Sequence, residues 1–230
     1  MVYDFHTHTF HSDGSLSPIE LIRRAVAEGY STIALTDHVG IGYLDRLIHG
    51  IVADCALAQE YWNITAIPGV ELTHLPVQAI DETAKRAKEL GAKLVVVHGE
   101  TITEPVEKGT NRAAVQSSHV DILAHPGLLS LDEAEMAAAQ GVFLEISARR
   151  GHSLTNGHVT KLARLAGAKL LLNTDAHDGR DLLTPALARA IAQGAGLEEK
   201  EIEEVLIGNP HTLLRRLCLP IPPQAGTPER

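Results

Sequence analysis

Val2-Tyr3-Asp4-Phe5-His6-Thr7-His8-Thr9-Phe10-His11-Ser12-Asp13-Gly14 opens the chain. A short β-prone run passes there into three histidines and a carboxylate. His6 and His8 are two positions apart, so on an extended strand they point the same way and make half of a metal site. A lone His-x-His pair reads equally well as two solvated surface histidines near a chain end. The rest of the chain decides between the two.

Short apolar runs recur at residues 2–5, 32–36, 64–70, 93–97, 120–124, 142–146 and 169–173. Their spacing, about 22 to 32 residues, is that of a βα unit. Continuous Val, Ile and Leu character predicts strands buried on both faces, hence a parallel sheet covered by helices. The intervening segments carry helix punctuation. Ser17 precedes Pro18, which suits an N-cap followed by proline in the first turn. Helices are expected over 44–61, 77–90, 111–117, 155–166, 182–193 and 197–206. Ser130 and Glu133 form a capping-box pattern before 134–140. Asn209 and Pro210 read as the cap of a last helix ending at 217. Seven such units predict a closed or nearly closed α/β barrel, with a doubly wound open sheet as the competitor. Residues 1–218 are expected to form this barrel. Residues 219–230 hold four prolines with Gly and Thr and read as a disordered tail.

The 230 residues carry a net charge of −9 with 44% hydrophobic and 21% charged residues, an ordinary globular composition. The negative balance and the lack of any Lys/Arg run argue against a nucleic-acid partner. No apolar run reaches the length of a membrane span, and no signal peptide is evident. Cys55 and Cys218 are far apart in apolar helical surroundings, which suits buried thiols in a reducing compartment. A cytoplasmic location is the expectation. No heptad or apolar stripe predicts an oligomeric state.

The thirteen histidines matter through their placement. The first predicted strand leads to His6 and His8, with His11 and Asp13 in its loop. The following strands end at Asp37-His38, at Glu71, at His98, at His125-Pro126-Gly127, at Glu145 and at Asp175-Ala176-His177. The opposite ends read Lys93, Val120 and Lys169. Donors gathered at the carboxyl ends of every strand are what an α/β barrel active site requires. Histidines and carboxylates without cysteine suit Zn, Mn or Fe. One tetrahedral ion cannot use so many donors, so two to three divalent ions with a bridging carboxylate are implied. Closely spaced ions suit hydrolysis by activated water.

These motifs, His6-x-His8, Ser12-Asp13-Gly14, Thr36-Asp37-His38, Gly69-Val70-Glu71, His98, His125-Pro126 and Asp175-Ala176-His177, resemble in order and spacing those of the PHP (polymerase and histidinol phosphatase) superfamily. The segment from Thr110-Asn111 to Gly127 is similar to its stand-alone, histidinol-phosphatase-like branch. The resemblance spans residues 1–217. It implies a distorted (β/α)7 TIM-like barrel with a trinuclear centre that hydrolyses phosphoesters. It assigns His6, His8 and Asp175 to a first ion, with Glu71 bridging to a second completed by His98 and His125. Asp13, His38 and His177 hold the third, with His11 the local rival of Asp13. His6, His8, Glu71, Asp175 and His177 are the residues it places in catalysis. Asp4 and Asp37 would orient ligands.

The expected activity is that of a metal-dependent phosphatase, a phosphoric ester hydrolase acting on a small phosphomonoester. The alternative is a PHP-type nuclease or phosphodiesterase acting on nucleotides or DNA ends. Arg149, Arg150 and Arg180 lie near the rim and are candidates to grip the substrate phosphate, since guanidinium binds phosphate bidentately. The loop 149–158 is expected to shape the mouth or cover it. His49, His74, His119, His158 and His211 read as structural or surface residues, and Glu145 as a rim residue of undecided role.

Overall fold

The computed structural model describes residues 2–222. Its described strands are β1 (Val2–Asp4), β2 (Tyr30–Leu35), β3 (His38–Val39), β4 (Thr65–Leu72), β5 (Leu94–His98), β6 (Ile122–Ala124), β7 (Phe143–Ser147) and β8 (Leu170–Asn173). They lie in the order β1-β2-β4-β5-β6-β7-β8, with the two-residue β3 paired to β4. Every pairing is parallel. Spatial order thus follows chain order, without the reversal of a doubly wound sheet. The first and last strands meet at their carboxyl ends, where Thr7 bridges Ala176. There the Asp175 N–H donates to the His6 carbonyl at 2.9 Å and the His8 N–H to the Ala176 carbonyl at 2.8 Å. The fold is an α/β TIM-like barrel, joined at the rim that carries the histidines.

The helices are α1 (Pro18–Ala27), α2 (Leu44–Tyr61), α3 (Ile80–Glu89), α4 (Thr110–Gln116), α5 (Leu131–Gln140), α6 (Asn156–Ala166), α7 (Pro185–Gly194), α8 (Glu199–Glu203) and α9 (Asn209–Arg216). The Ser17 hydroxyl accepts from the Glu20 N–H, and Ser130 with Glu133 makes both bonds of the capping box. Four expectations needed correction, the first being the buried thiols: Cys55 is buried in α2, but Cys218 is exposed just past α9. The helix expected from 182 starts at Pro185, because the Thr184 side chain caps it. Residues 77–79 wind as a 3-10 turn ahead of α3. Residues 199–216 run as one helical stretch through a π turn at Glu204–Gly208. Asn209 therefore caps nothing: its backbone is helical, and its side-chain amide donates to the Leu170 carbonyl at 2.9 Å. The segment from 219 has no regular element up to Pro222, and 223–230 lie outside the described residues. No helix among the described residues is long and apolar enough to cross a membrane.

Alternation along the strands sorts the core into two layers. Val95, Val97, Leu144 and Ile146 face outward into the layer shared with the helices. Tyr3, Phe5, Ala34, Ile67, Leu94, Val96, Ile122, Phe143 and Leu171 fill the barrel interior, which Leu213 and Leu214 of α9 close at the amino end. The same inward register, continued toward the carboxyl ends, runs from Ile67 to Glu71, from Val96 to His98, from Phe143 to Glu145 and from Leu171 to Asn173. Gly69 is required between the layers, because a Cβ there would stand 2.9 Å from Thr36 Cγ2 and 3.0 Å from the Leu94 carbonyl oxygen.

Phe143 is 2% exposed inside the barrel, with the Arg216 guanidinium 5.1 Å from its ring centre. Phe143→Ala removes that filling and is expected to cost about 3–5 kcal/mol of unfolding free energy. Urea denaturation measures it, and a loss below about 1 kcal/mol would show that the interior does not depend on the ring.

Candidate metal centre

The donors converge on a polar pocket of about 460 Å³ at the carboxyl rim, lined by Asp13, His38, His74, His98, Glu104, His125, Arg149, His152, Asp175 and His177 among others. β1 ends at Asp4, so His6 and His8 sit on the extended segment just beyond it. Glu145, on β7, accepts from His6 Nδ1 at 2.8 Å. That bond puts a proton on Nδ1, so in the neutral ring the Nε2 lone pair faces inward. His6 Nε2 then stands 3.1 Å from His8 Nε2, 3.3 Å from Glu71 Oε1 and 3.9 Å from Asp175 Oδ1. His8 Nε2 lies 3.1 Å from the same Asp175 oxygen.

Glu71 lies between three groups. Its Oε1 is 3.6 Å from His125 Nε2 and its Oε2 is 2.5 Å from His38 Nδ1. On the open side Asp13 Oδ1 is 3.0 Å from His177 Nε2 and 3.6 Å from His38 Nε2. His11 turns the other way: its Nε2 lies 3.8 Å from where a Cβ on Gly50 of α2 would be. Of the two, Asp13 lines the pocket.

The groups that place donor atoms within 4.8 Å of one another include His6 with His8 and Asp175, His6 with Glu71 and His125, and His8 with Asp13, His38 and His177. The acidic helpers hold backbone. Asp37 accepts from the Thr9 N–H at 2.7 Å and from the Thr9 and Ser12 hydroxyls, both at 2.8 Å. Asp4 accepts from the Thr174 hydroxyl at 2.6 Å and from the Thr174 and His6 N–H groups. Both pin a ligand-bearing loop to its neighbour. His125 and Asp175 have φ of 26° and 53°, left-handed values that cost a non-glycine residue about 1–3 kcal/mol and that cluster at functional sites.

The electrostatics are those of a site built for cations. Burial works against a charge on His6, but Glu145, Glu71 and Asp175 outweigh it and hold its pKa well above the usual range. Burial and the neighbouring His38 hold His8 well below that range. Burial also brings His98 down to about 3. Burial pushes Asp175 up to about 6 against the pull of His6 and His125. Burial also works against ionised Glu71, yet His38 and His6 keep it well below the carboxylate norm. Glu71 Oε1, Glu145 Oε1 and Asp175 Oδ1 are buried without a hydrogen-bond partner, as are the Nδ1 atoms of His8, His98 and His125. Buried carboxylate oxygens without a donor, facing imidazole nitrogens, fit divalent cations.

The model of the PHP domain matches residues 4–198. The chain belongs to the PHP domain family. An uncharacterized protein of Methanocaldococcus jannaschii is 47% identical over 94% of this chain and 100% of its own length. A probable phosphatase of Thermoanaerobacter sp. is 26% identical over 90% of this chain and 92% of its own length. Among solved structures, a chain of archaeal ribonuclease P with mature tRNA superposes with a TM-score of 0.66 at 18% identity, covering 93% of this chain and 89% of that one. Histidinol phosphate phosphatase of Lactococcus lactis, solved with zinc, L-histidinol and phosphate, gives 0.60 at 17% identity, covering 86% and 94%. At these identities the two structures establish the shared fold.

Within the PHP fold, all nine residues named from the resemblance line the rim or lie directly beneath it. The three arginines separate. The Arg149 guanidinium donates to the Asp175 carbonyl at 3.1 Å and lines the pocket. Arg180 is solvent-exposed and pairs with Asp178, while Arg150 is exposed and does not line the pocket. Glu145, of undecided role in the sequence, joins the site, as do three polar residues that the sequence did not single out for it. Glu145 fixes His6, Glu104 and His152 face His98, and His74 lies 3.9 Å from Glu104. The strand-end position of Glu145 was a usable signal. Glu104 sits in an irregular loop where no pattern marks it. His49, His119, His158 and His211 bond elsewhere, to the Asp45 carbonyl, Asp81, the Leu129 carbonyl and Tyr3.

Asp175 supplies a test by its own titration. In metal-free protein it keeps its proton up to about pH 6 when folded but only to 3.8 when unfolded. Its contribution to stability is present below the unfolded value and is lost as pH rises through the folded one. Asp175→Asn removes that loss. The metal-free variant is expected to exceed wild type by roughly 1–3 kcal/mol above about pH 6, with the difference vanishing toward pH 4. Urea denaturation in chelator reads it, and equal stabilities at pH 7.5 would contradict the burial account.

Proposed function

We propose that this chain is a metal-dependent phosphoesterase that hydrolyses a small phosphomonoester at a three-ion centre. The reading is carried by one observation: histidine and carboxylate donors from separate loops and strands meet in one pocket, with Arg149 the one guanidinium among the described residues that line it. His6, His8, Asp175 and Glu71 would hold one ion, Glu71 with His98 and His125 a second, and Asp13, His38 and His177 the third. Divalent ions bound there lower the pKa of water towards about 7 and offset phosphate charge. Thiolate-free donors of this kind suit zinc, manganese or iron.

The chain's own residues prepare the site. Glu145 keeps the His6 proton on Nδ1 and so keeps Nε2 a donor to metal. Asp4 and Asp37 hold the first loop and the last strand end in register. Arg149 stands where it can exchange the Asp175 carbonyl for a phosphate oxygen. The pocket volume of about 460 Å³ suits a small substrate. A nucleic-acid end is the competing substrate. The net charge of −9 weighs against it.

Metal analysis with a panel of phosphomonoesters and single-stranded oligonucleotides tests the reading. Two to three ions per chain are expected, with activity lost in chelator and restored by Zn, Mn or Fe. His125→Ala and Asp175→Ala are expected to lower kcat at least about a hundredfold, and Arg149→Ala to lower kcat/KM by about ten- to a hundredfold. Fewer than two ions at saturation, or full turnover in Asp175→Ala, sinks the proposal. Cleavage of oligonucleotides alone would transfer it to the nuclease reading.

A further inference from the structure

His152 lies outside the nine residues assigned above, yet it faces the second ion position. It begins the one-turn segment His152–Thr155 after β7. The preceding Gly151, at φ 98°, turns the chain inward. The side chain is 5% exposed. Its ring is stacked on that of His125, with centroids 4.0 Å apart and planes at 16°. The His98 ring stands nearly perpendicular to it at 6.1 Å. One donor nitrogen each from His98, His125 and His152 lie within 4.8 Å of one another.

The two nitrogens of the His152 ring have different surroundings. Nδ1 is hydrogen-bonded to the Thr101 hydroxyl at 2.7 Å and lies 3.3 Å from that of Thr103. Nε2 points into the pocket, 3.5 Å from Glu104 Oε1 and 3.8 Å from Asp175 Oδ2. Glu104 Oε2 in turn is 3.1 Å from His98 Nε2. An imidazole anchored at one nitrogen by a hydroxyl, with the other aimed at carboxylates and further imidazoles, has the arrangement of a metal ligand.

We propose that His152 is a fourth protein ligand of the ion held by Glu71, His98 and His125, an inference that rests on the three-ion reading above. The consequence is chemical. Three imidazoles and a carboxylate would fill four places on the ion, so substrate or water would be accepted there only by an ion that takes five or six ligands. Three imidazoles also favour iron, cobalt or zinc over magnesium.

Cobalt(II) titration of the full-length metal-free protein, in a Cys218→Ser background, tests the assignment. His152→Cys is expected to add a sulfur-to-cobalt charge-transfer band in the near ultraviolet, which arises only if the side chain at 152 binds the ion. His152→Ala is expected to weaken one cobalt site at least about tenfold and leave the others unchanged. His158→Ala, whose ring bonds the Leu129 carbonyl outside the pocket, serves as the control and should match wild type. A folded His152→Cys protein with its full cobalt complement and no such band overturns the proposal. Wild-type affinities in His152→Ala overturn it as well. Should wild type itself bind fewer than two cobalt ions, the three-ion reading falls first and this inference with it.

Discussion

The structure turns on a buried carboxylate. Glu71 has no exposed surface, and one of its oxygens has no hydrogen-bond partner. An ionised carboxylate in that position is very costly unless positive charge or hydrogen-bond donors surround it. The barrel supplies them by geometry. Parallel strands in sequential order bring every carboxyl end to one rim, so His6, His38 and His125 reach the same side chain from different elements. The depressed pKa of Glu71 and the raised pKa of His6 are two sides of that arrangement. With carboxylates on several sides of His6 and imidazoles crowding each other, the compensation among protein groups is incomplete, and divalent cations complete it.

Register then explains why core and site coexist without conflict. The inward face of β4, β5, β7 and β8 is apolar through its lower part and polar at its end. One change per strand, at Glu71, His98, Glu145 and Asn173, converts packing into chemistry. The close packing at Gly69 keeps the two zones from interfering. At the seam, Asn173 accepts from the Phe5 N–H at 2.9 Å and donates to Glu145 at 2.8 Å. The joint between first and last strands is thus the same network that orients His6. Closing the barrel and aligning the first ligand are one structural event.

Much of this was legible in the sequence because it follows from period and punctuation. The seven main strands fall where the apolar runs predicted, and α2 spans the 44–61 that its apolar pattern marked. The strand-end donors form the pocket because strand ends of a barrel are neighbours by topology. What the sequence did not show depends on contacts distant in the chain. The two-residue β3 forms because His38 pairs beside Glu71, which no local pattern foretells. The π turn at Glu204–Gly208 lets Asn209 reach Leu170, a tertiary bond that overrides its capping preference. Glu104 and His152 reach the site from irregular loops, and choosing Asp13 over His11 needed α2 behind the loop.

Burial across the pocket is graded, and the gradient bears on how such a site works. His6, His8, Glu71 and Asp175 have side chains at most 3% exposed, whereas Asp13 is 55% and His38 26% exposed. Coulombic attraction strengthens as water is excluded. A cation among the buried group is therefore held more strongly by its carboxylates than one at the open group, whose shell is shared with solvent. The pocket opens on that side, between Asp13 and Arg149. The guanidinium and the least shielded donors stand at this mouth, and the positive-φ positions of His125 and Asp175 lie deeper. The deep end of the pocket is fixed by the closed barrel, and adaptability is left to the loops at its mouth.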